Sequence, residues 1–115
     1  MSEPEVLSDS AIVLRDDRNR PEDIRRGIGT HPSGITGISV ECEDEISVHE
    51  LSALIPHGSI GVTTVGEVRA VGGDVIRTSG RSPYHATLTG LISSEISLLL
   101  TPHHSKPIQA EGVVI

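Results

Sequence analysis

Hydrophobic positions along the 115 residues change period several times, and each change marks an element. The clearest alternation is "YHATLTGL", residues 84–91, which predicts a strand with Tyr84, Ala86 and Leu88 on one face and His85, Thr87 and Thr89 on the other. Residues 11–15 form a short apolar run that also suits a strand. "NRPEDIRRG" is punctuated as a helix: Pro21 at the first helical position, Glu22 and Asp23 in the first turn, Arg25 and Arg26 in the last, Gly27 as terminator. "GIGTHPSGITG" reads as a glycine-rich loop. Ile38 and Val40 then alternate with Ser39 and Glu41, a half-buried strand.

Two capping boxes follow. Ser47 with Glu50 opens a helix over 47–55 that Pro56 stops, with Val48, Leu51 and Ile55 on one face. Thr64 with Glu67 opens a second, striped by Val65, Val68 and Val71 and released at Gly72-Gly73. Strands are expected at 59–62 and 74–78, with a turn at "SGRSP". Ser93 caps a last helix carrying Ile96, Leu99 and Leu100, ended by Pro102. The order predicts a compact α+β single domain over 11–102, a mixed sheet with short helices packed on it. Residues 1–10 are expected to be a flexible arm, and 103–115 a tail or edge strand.

Composition sharpens this picture. Val and Ile supply 24 residues and Leu 9, against one Tyr and no Phe or Trp, so branched aliphatics must fill the core and a sheet is favoured. The formal charge is −7 and the basic run Arg15, Arg18, Arg20, Arg25, Arg26 is interleaved with Asp16, Asp17, Glu22 and Asp23. Nonspecific nucleic-acid binding and docking on an anionic membrane are therefore disfavoured. Near absence of aromatics removes a stacking platform for single strands. Cys42 is alone, so no intrachain disulfide or cysteine-based zinc site is available, and no metal or other cofactor is expected. His103 and His104 are adjacent and would point opposite ways on an extended chain. The N-terminus lacks the apolar run of a signal peptide, and no stretch approaches the roughly 20 apolar residues of a membrane span, so a cytoplasmic setting is the default. Neither a phosphate-binding GxxxxGK[ST] loop nor a G-x-S-x-G elbow is present.

The polar face of the 84–91 strand holds the candidate chemistry. A histidine beside hydroxyls can move a proton and bind phosphate oxygen. Its His-apolar-Thr-apolar pattern resembles half of the signature of two-histidine phosphoesterases, which need a second histidine across a groove. Four of the six histidines have Ser or Thr two residues on: His31, His57, His85 and His103. "HPSG" around His31 reads as a loop, and His57 in "IPHGS" projects from a turn before a strand, where functional side chains are common. The bland alternative is a solvated sheet face and ordinary turn composition.

From 55 to 91, "IPHGSIGVTTVGEVRAVGGDVIRTSGRSPYHATLTGL" resembles a segment of short uncharacterised bacterial proteins of toxin and defence (conflict) loci, with a strand, a V-x-x-V-R-A-x-G-type helix, a strand, and a strand opening His-Ala. The resemblance implies a bacterial cytoplasmic setting. The leading expectation is a small interaction domain with a protein partner or a second copy, its apolar "GVVI" end and sheet edges inviting contact. The alternative is a small metal-independent ribonuclease or phosphoesterase. There His85 is general acid or base, His57 its counterpart, Thr87 and Thr89 oxygen ligands, and Arg69, Arg77 or Arg81 a phosphate clamp beside Tyr84. RNA is a partner only on that alternative.

Overall fold

The computed structural model describes residues 6–16, 18–44, 50, 59–80 and 82–104. Its centre is β3 (Thr36–Glu43), the longest strand, flanked by β6 (His85–Thr89) on one edge. Beyond β6 lies β5 (Asp74–Arg77). The other edge of β3 is shared by β1 (Ile12–Asp16) and β2 (Ile28–Thr30), and β1 continues to β4 (Ser59–Thr64) and β7 (Thr101–His104). Every described pairing is antiparallel, where a mixed sheet was expected. The α+β class and the single compact domain stand. Parallel neighbours need a crossover of about a dozen residues or more, and the connections that follow β1, β4 and β6 are shorter than that.

Three helices whose full ranges lie among the described residues cover one face: α1 (Pro21–Gly27), α2 (Val65–Ala70) and α3 (Ser93–Leu99). Each starts where the sequence punctuates it. Asp23 reaches back to the Arg20 N–H at 3.2 Å and to its guanidinium at 2.8 Å. Thr64 and Glu67 exchange reciprocal bonds to each other's backbone N–H, both 3.2 Å. At α3 the cap position is Ile92, one residue before the expected Ser93, and Glu95 accepts from its N–H at 3.0 Å. Ile24, Val65, Val68, Ile96 and Leu100 from the helical layer meet Val13, Ile38, Val40, Cys42, Val75, Ala86 and Leu88 from the sheet. Ile24 is the only buried side chain of α1, so this one residue, contributing about 1.5–3 kcal/mol by its burial, docks the helix.

The segment expected as a flexible arm is anchored from residue 6 onward. Leu7 is 3% exposed within the core, Asp9 pairs with Arg69 at 2.7 Å, and the Gly66 N–H donates to the Asp9 carbonyl. A single apolar residue among acids and serines was enough to dock it. Likewise β7 carries Pro102 and crosses the expected domain limit at 102. The helix expected over 47–55 lies outside the described residues, apart from Glu50.

The expected glycine-rich loop is a hairpin instead. β2 pairs with β3 through Gly29↔Gly37, and a three-residue tip, Pro32-Ser33-Gly34, is closed by the His31 N–H to the Ile35 carbonyl at 2.9 Å. Gly34 has φ 95°, the left-handed residue such a loop requires. Registers on this edge of β3 show what α1 does to the sheet. Continued in step, β1 would reach Ile38 at residue 17; Ile28 holds that place. The chain leaves the edge, forms α1 and returns, and Ser39 and Val40 are in neither register.

Candidate functional site

Three neighbouring strands bring the polar residues together on the face away from the helices. Register places Glu41 opposite His85, Ser39 opposite Thr87 and Gly37 opposite Thr89. On the other side Ile76 faces Thr87, and Thr78, just past β5, bonds to the His85 carbonyl through its N–H. His85, Thr87 and Thr89 thus share one surface, as their alternation requires. Thr87 is 3% and Thr78 8% exposed, and their hydroxyls satisfy one another at 2.9 Å, so the buried oxygens are paired. Thr89 donates its hydroxyl to the Thr36 carbonyl.

Bond partners settle the proton positions on the two imidazoles. His85 Nδ1 lies 3.2 Å from the Thr78 carbonyl and 3.0 Å from its hydroxyl; the carbonyl can only accept, so Nδ1 carries the proton. In the neutral ring the acceptor is then His85 Nε2, which makes no bond to a described residue. The second ring is His31, from the hairpin that was expected to be an irregular loop. Its centroid is 5.8 Å from that of His85 with a 31° tilt. His31 Nδ1 accepts the Ser33 N–H at 3.0 Å and has the Ser33 hydroxyl at 2.8 Å, so Nε2 bears the proton and donates it to the Ser79 carbonyl at 2.7 Å. The hairpin tip is thereby clasped to the end of β5. Gly80 is packed so closely on the His85 ring that any Cβ there would overlap it.

Beside the clasp runs a groove of about 240 Å³ lined by Gly27, Gly29, Thr30, His31, Pro32, Gly37, Ser39 and Thr87. Two of its glycines play opposite parts. A Cβ on Gly37 would run into the Leu88 carbonyl and the Thr87 methyl, so this glycine lets β6 and β3 approach. A Cβ on Gly29 would meet nothing within 4 Å; it would simply fill the groove.

The remaining expected site residues do not converge here. Arg69 bridges Asp9 at 2.7 Å and Asp74 at 2.9 Å, and those two carboxylates push its guanidinium further toward the protonated form. Arg77 pairs in register with Ala86, on the face opposite the imidazole; its guanidinium bonds the His85 carbonyl at 3.3 Å and lies 3.8 Å from Glu43. Neither can clamp a phosphate at His85. Tyr84 precedes the strand and packs on Leu14 and Ile60, not with Ala86 and Leu88 as alternation suggested. Its carbonyl accepts the Cys42 N–H, and the strand's alternation begins one residue later. His57 and Arg81 lie outside the described residues. Sequence reasoning passed over His31 as the partner of His85, although its His-x-Ser spacing matched; proline and glycine around it masked a hairpin that carries it over the sheet.

No helix among the described residues is long and apolar enough to cross a membrane. Comparison with family models, curated proteins and solved structures finds no match.

Proposed function

We propose that the chain is a small interaction domain, a cytoplasmic subunit or partner in a bacterial conflict-type system, as the 55–91 segment implies, and not a two-histidine catalyst. One observation carries this reading. Both ring nitrogens of His31 are committed to groups of its own chain, at 3.0 Å and 2.7 Å, so the imidazole beside His85 has no free site for a substrate proton. Among the described residues the ribonuclease or phosphoesterase alternative is left with His85 Nε2, because Arg69 and Arg77 are engaged elsewhere.

Contact by strand addition is disfavoured, contrary to the expectation from sheet edges. The outward N–H of Val75 in β5 is taken by the Asp74 carboxylate at 2.8 Å, and β7 carries Pro102, which has no N–H to offer. The helical side offers better contacts: Leu98 is 87% and Ile92 65% exposed. Covering Leu98 fully would contribute about 1.5–3 kcal/mol to an interface. The test is sedimentation of the pure protein at micromolar concentration, and of the protein from its native host. A species heavier than the 12.2 kDa monomer, shifted toward monomer by Leu98→Asp, is expected. A monomer in both preparations overturns the proposal.

A further inference from the structure

Nine lysines and arginines stand against 16 acids in this chain, and most of the described ones are already matched. Arg20 and Arg26 hold Asp23 at 2.8 Å and 2.6 Å, Arg69 holds Asp9 and Asp74, and Arg77 lies 3.8 Å from Glu43. Arg15 donates to the amide oxygen of Asn19 at 2.8 Å. Among the described residues that leaves Arg18 and Arg25, both exposed, with side chains that make no bond or ion pair to a described residue. Each is a positive charge facing water on a molecule of formal charge −7.

The same region carries Leu98, the most exposed large apolar side chain among the described residues. The Ser97 hydroxyl donates to the Asn19 carbonyl at 2.6 Å and so ties the last turn of α3 to the approach to α1. Next to that bond in sequence stand Leu98 on one side and Arg18 on the other. An uncovered isobutyl group and an unmatched guanidinium therefore share one patch. α1 packs against α3, with Ile24 and Ile96 in the common core, and adds Arg25 to this layer. Ile92 supplies a second exposed apolar group at the start of α3. Glu95 is turned back to its own helix start, where it accepts the Ile92 N–H at 3.0 Å.

We propose that the α1–α3 surface around Leu98 and Arg18 receives an acidic, amphipathic segment of a partner protein, its apolar side chains on Leu98 and Ile92 and its carboxylates on Arg18 and Arg25. The proposal rests on the interaction-domain reading and names the chemistry of the partner. Charge decides the occupant. A two-fold contact with a second copy through this face would gather the unmatched arginines of both copies, and like charges oppose it. A carboxylate offers each guanidinium two oxygens that match its planar fork. Nucleic acid and anionic membrane are also negative, but they present an extended field that the acidic remainder of the chain repels. A short segment meets the local patch alone, and it has a use for Leu98 that a phosphate backbone lacks.

The experiment is an NMR titration of the full chain with two synthetic peptides of about 15 residues, the length at which an isolated helix begins to hold. Both carry leucines along one helical face; the other positions are glutamate-rich in one peptide and lysine-rich in the other. The amides of Ser94, Ser97 and Leu98 are followed. The acidic peptide is expected to saturate their shifts with a Kd of about 1 mM or tighter, and the basic peptide to bind at least about tenfold more weakly. Arg18→Glu and Leu98→Asp, or Leu98→Ser should the charge perturb α3, are each expected to weaken the acidic peptide about tenfold. In sedimentation of the protein from its native host, Arg18→Glu should release the heavier species. The inference is overturned if the acidic peptide gives no saturable shift, if the two peptides bind equally, or if single-stranded RNA or phosphatidylglycerol vesicles bind as tightly. A heavier species that Arg18→Glu leaves intact also overturns it while the interaction reading stands; a monomer in every preparation removes both.

Discussion

Replacing His31 by alanine separates a structural clasp from a catalytic ring. The substitution removes two bonds, the Ser33 N–H to Nδ1 at 3.0 Å and Nε2–H to the Ser79 carbonyl at 2.7 Å, and the ring contact with His85 at 5.8 Å. An intramolecular hydrogen bond contributes about 0.5–1.5 kcal/mol net, and solvent reaches both of these, which places each near the lower end. With the lost ring contact, a destabilisation of about 1–2 kcal/mol follows. Urea unfolding reads it directly: for a chain of this size m is of order 1–2 kcal/mol/M, so the midpoint should fall by about 1 M with m unchanged. His85→Ala should couple to it in a double-mutant cycle by about 0.5 kcal/mol or more, because the rings touch. Cleavage of total RNA should be absent from the parent protein and from both variants. A His31→Ala protein as stable as its parent, or one that loses a robust RNA-cleaving activity of that parent, would refute the clasp.

Two further outcomes follow from local geometry. The Asp23 carboxyl is lowered from 3.8 to about 2, chiefly by its hydrogen bond from the Arg20 side chain, with the Arg20 N–H and the charges of Arg20 and Arg26 adding to it against partial desolvation. A group held lower in the folded state than in the unfolded chain contributes above the unfolded value, and its contribution disappears as pH falls from about 4 toward 2. A carboxyl-carbon NMR titration should therefore find Asp23 near 2, and Arg20→Ala should move it up toward 3.8. Gly37→Ala forces a Cβ onto the Leu88 carbonyl and should destabilise by about 2 kcal/mol or more in thermal unfolding, while Gly29→Ala, opening on empty space, should stay within about 0.5 kcal/mol.

Local signals carried most of the fold. Helix starts at Pro21 and Thr64 and the strand from His85 follow from backbone chemistry that acts within four residues, and there pattern and structure agree. Failures came where distant contacts decide. Nothing local tells that Leu7 fills the core, or that "GIGTHPSGITG" pairs with itself, because Gly29 and Gly37 offer the pattern no side chain. The face of the site was legible in the alternation of His85, Thr87 and Thr89; its second imidazole was not. His31 and His85 stand 54 positions apart, and only the hairpin and the β3–β6 register bring them together. Arg69 and Arg77 were read as free cations because their acids lie on other elements.

One event in the chain accounts for both the shared edge of β3 and the clasp over the sheet. A strand that ran unbroken from Ile12 past residue 16 would have kept this edge of β3 on β1 alone. The chain turns out instead, and α1 docks through Ile24 alone, with Gly27 giving passage where a Cβ would press on Arg15 and Ile38. The return delivers the edge as a short, glycine-floored hairpin whose tip curls over the open face. Three paired residues are too few to hold such a hairpin by themselves, and two-stranded units of this size are marginal in water. His31 supplies the missing tie by bonding to Ser79, across the intervening strands. The shared edge and the clasp are thus two results of the same excursion: leaving the edge hands Ile38 to β2 where β1 would have reached it, and returning creates a hairpin that needs the imidazole to stay down.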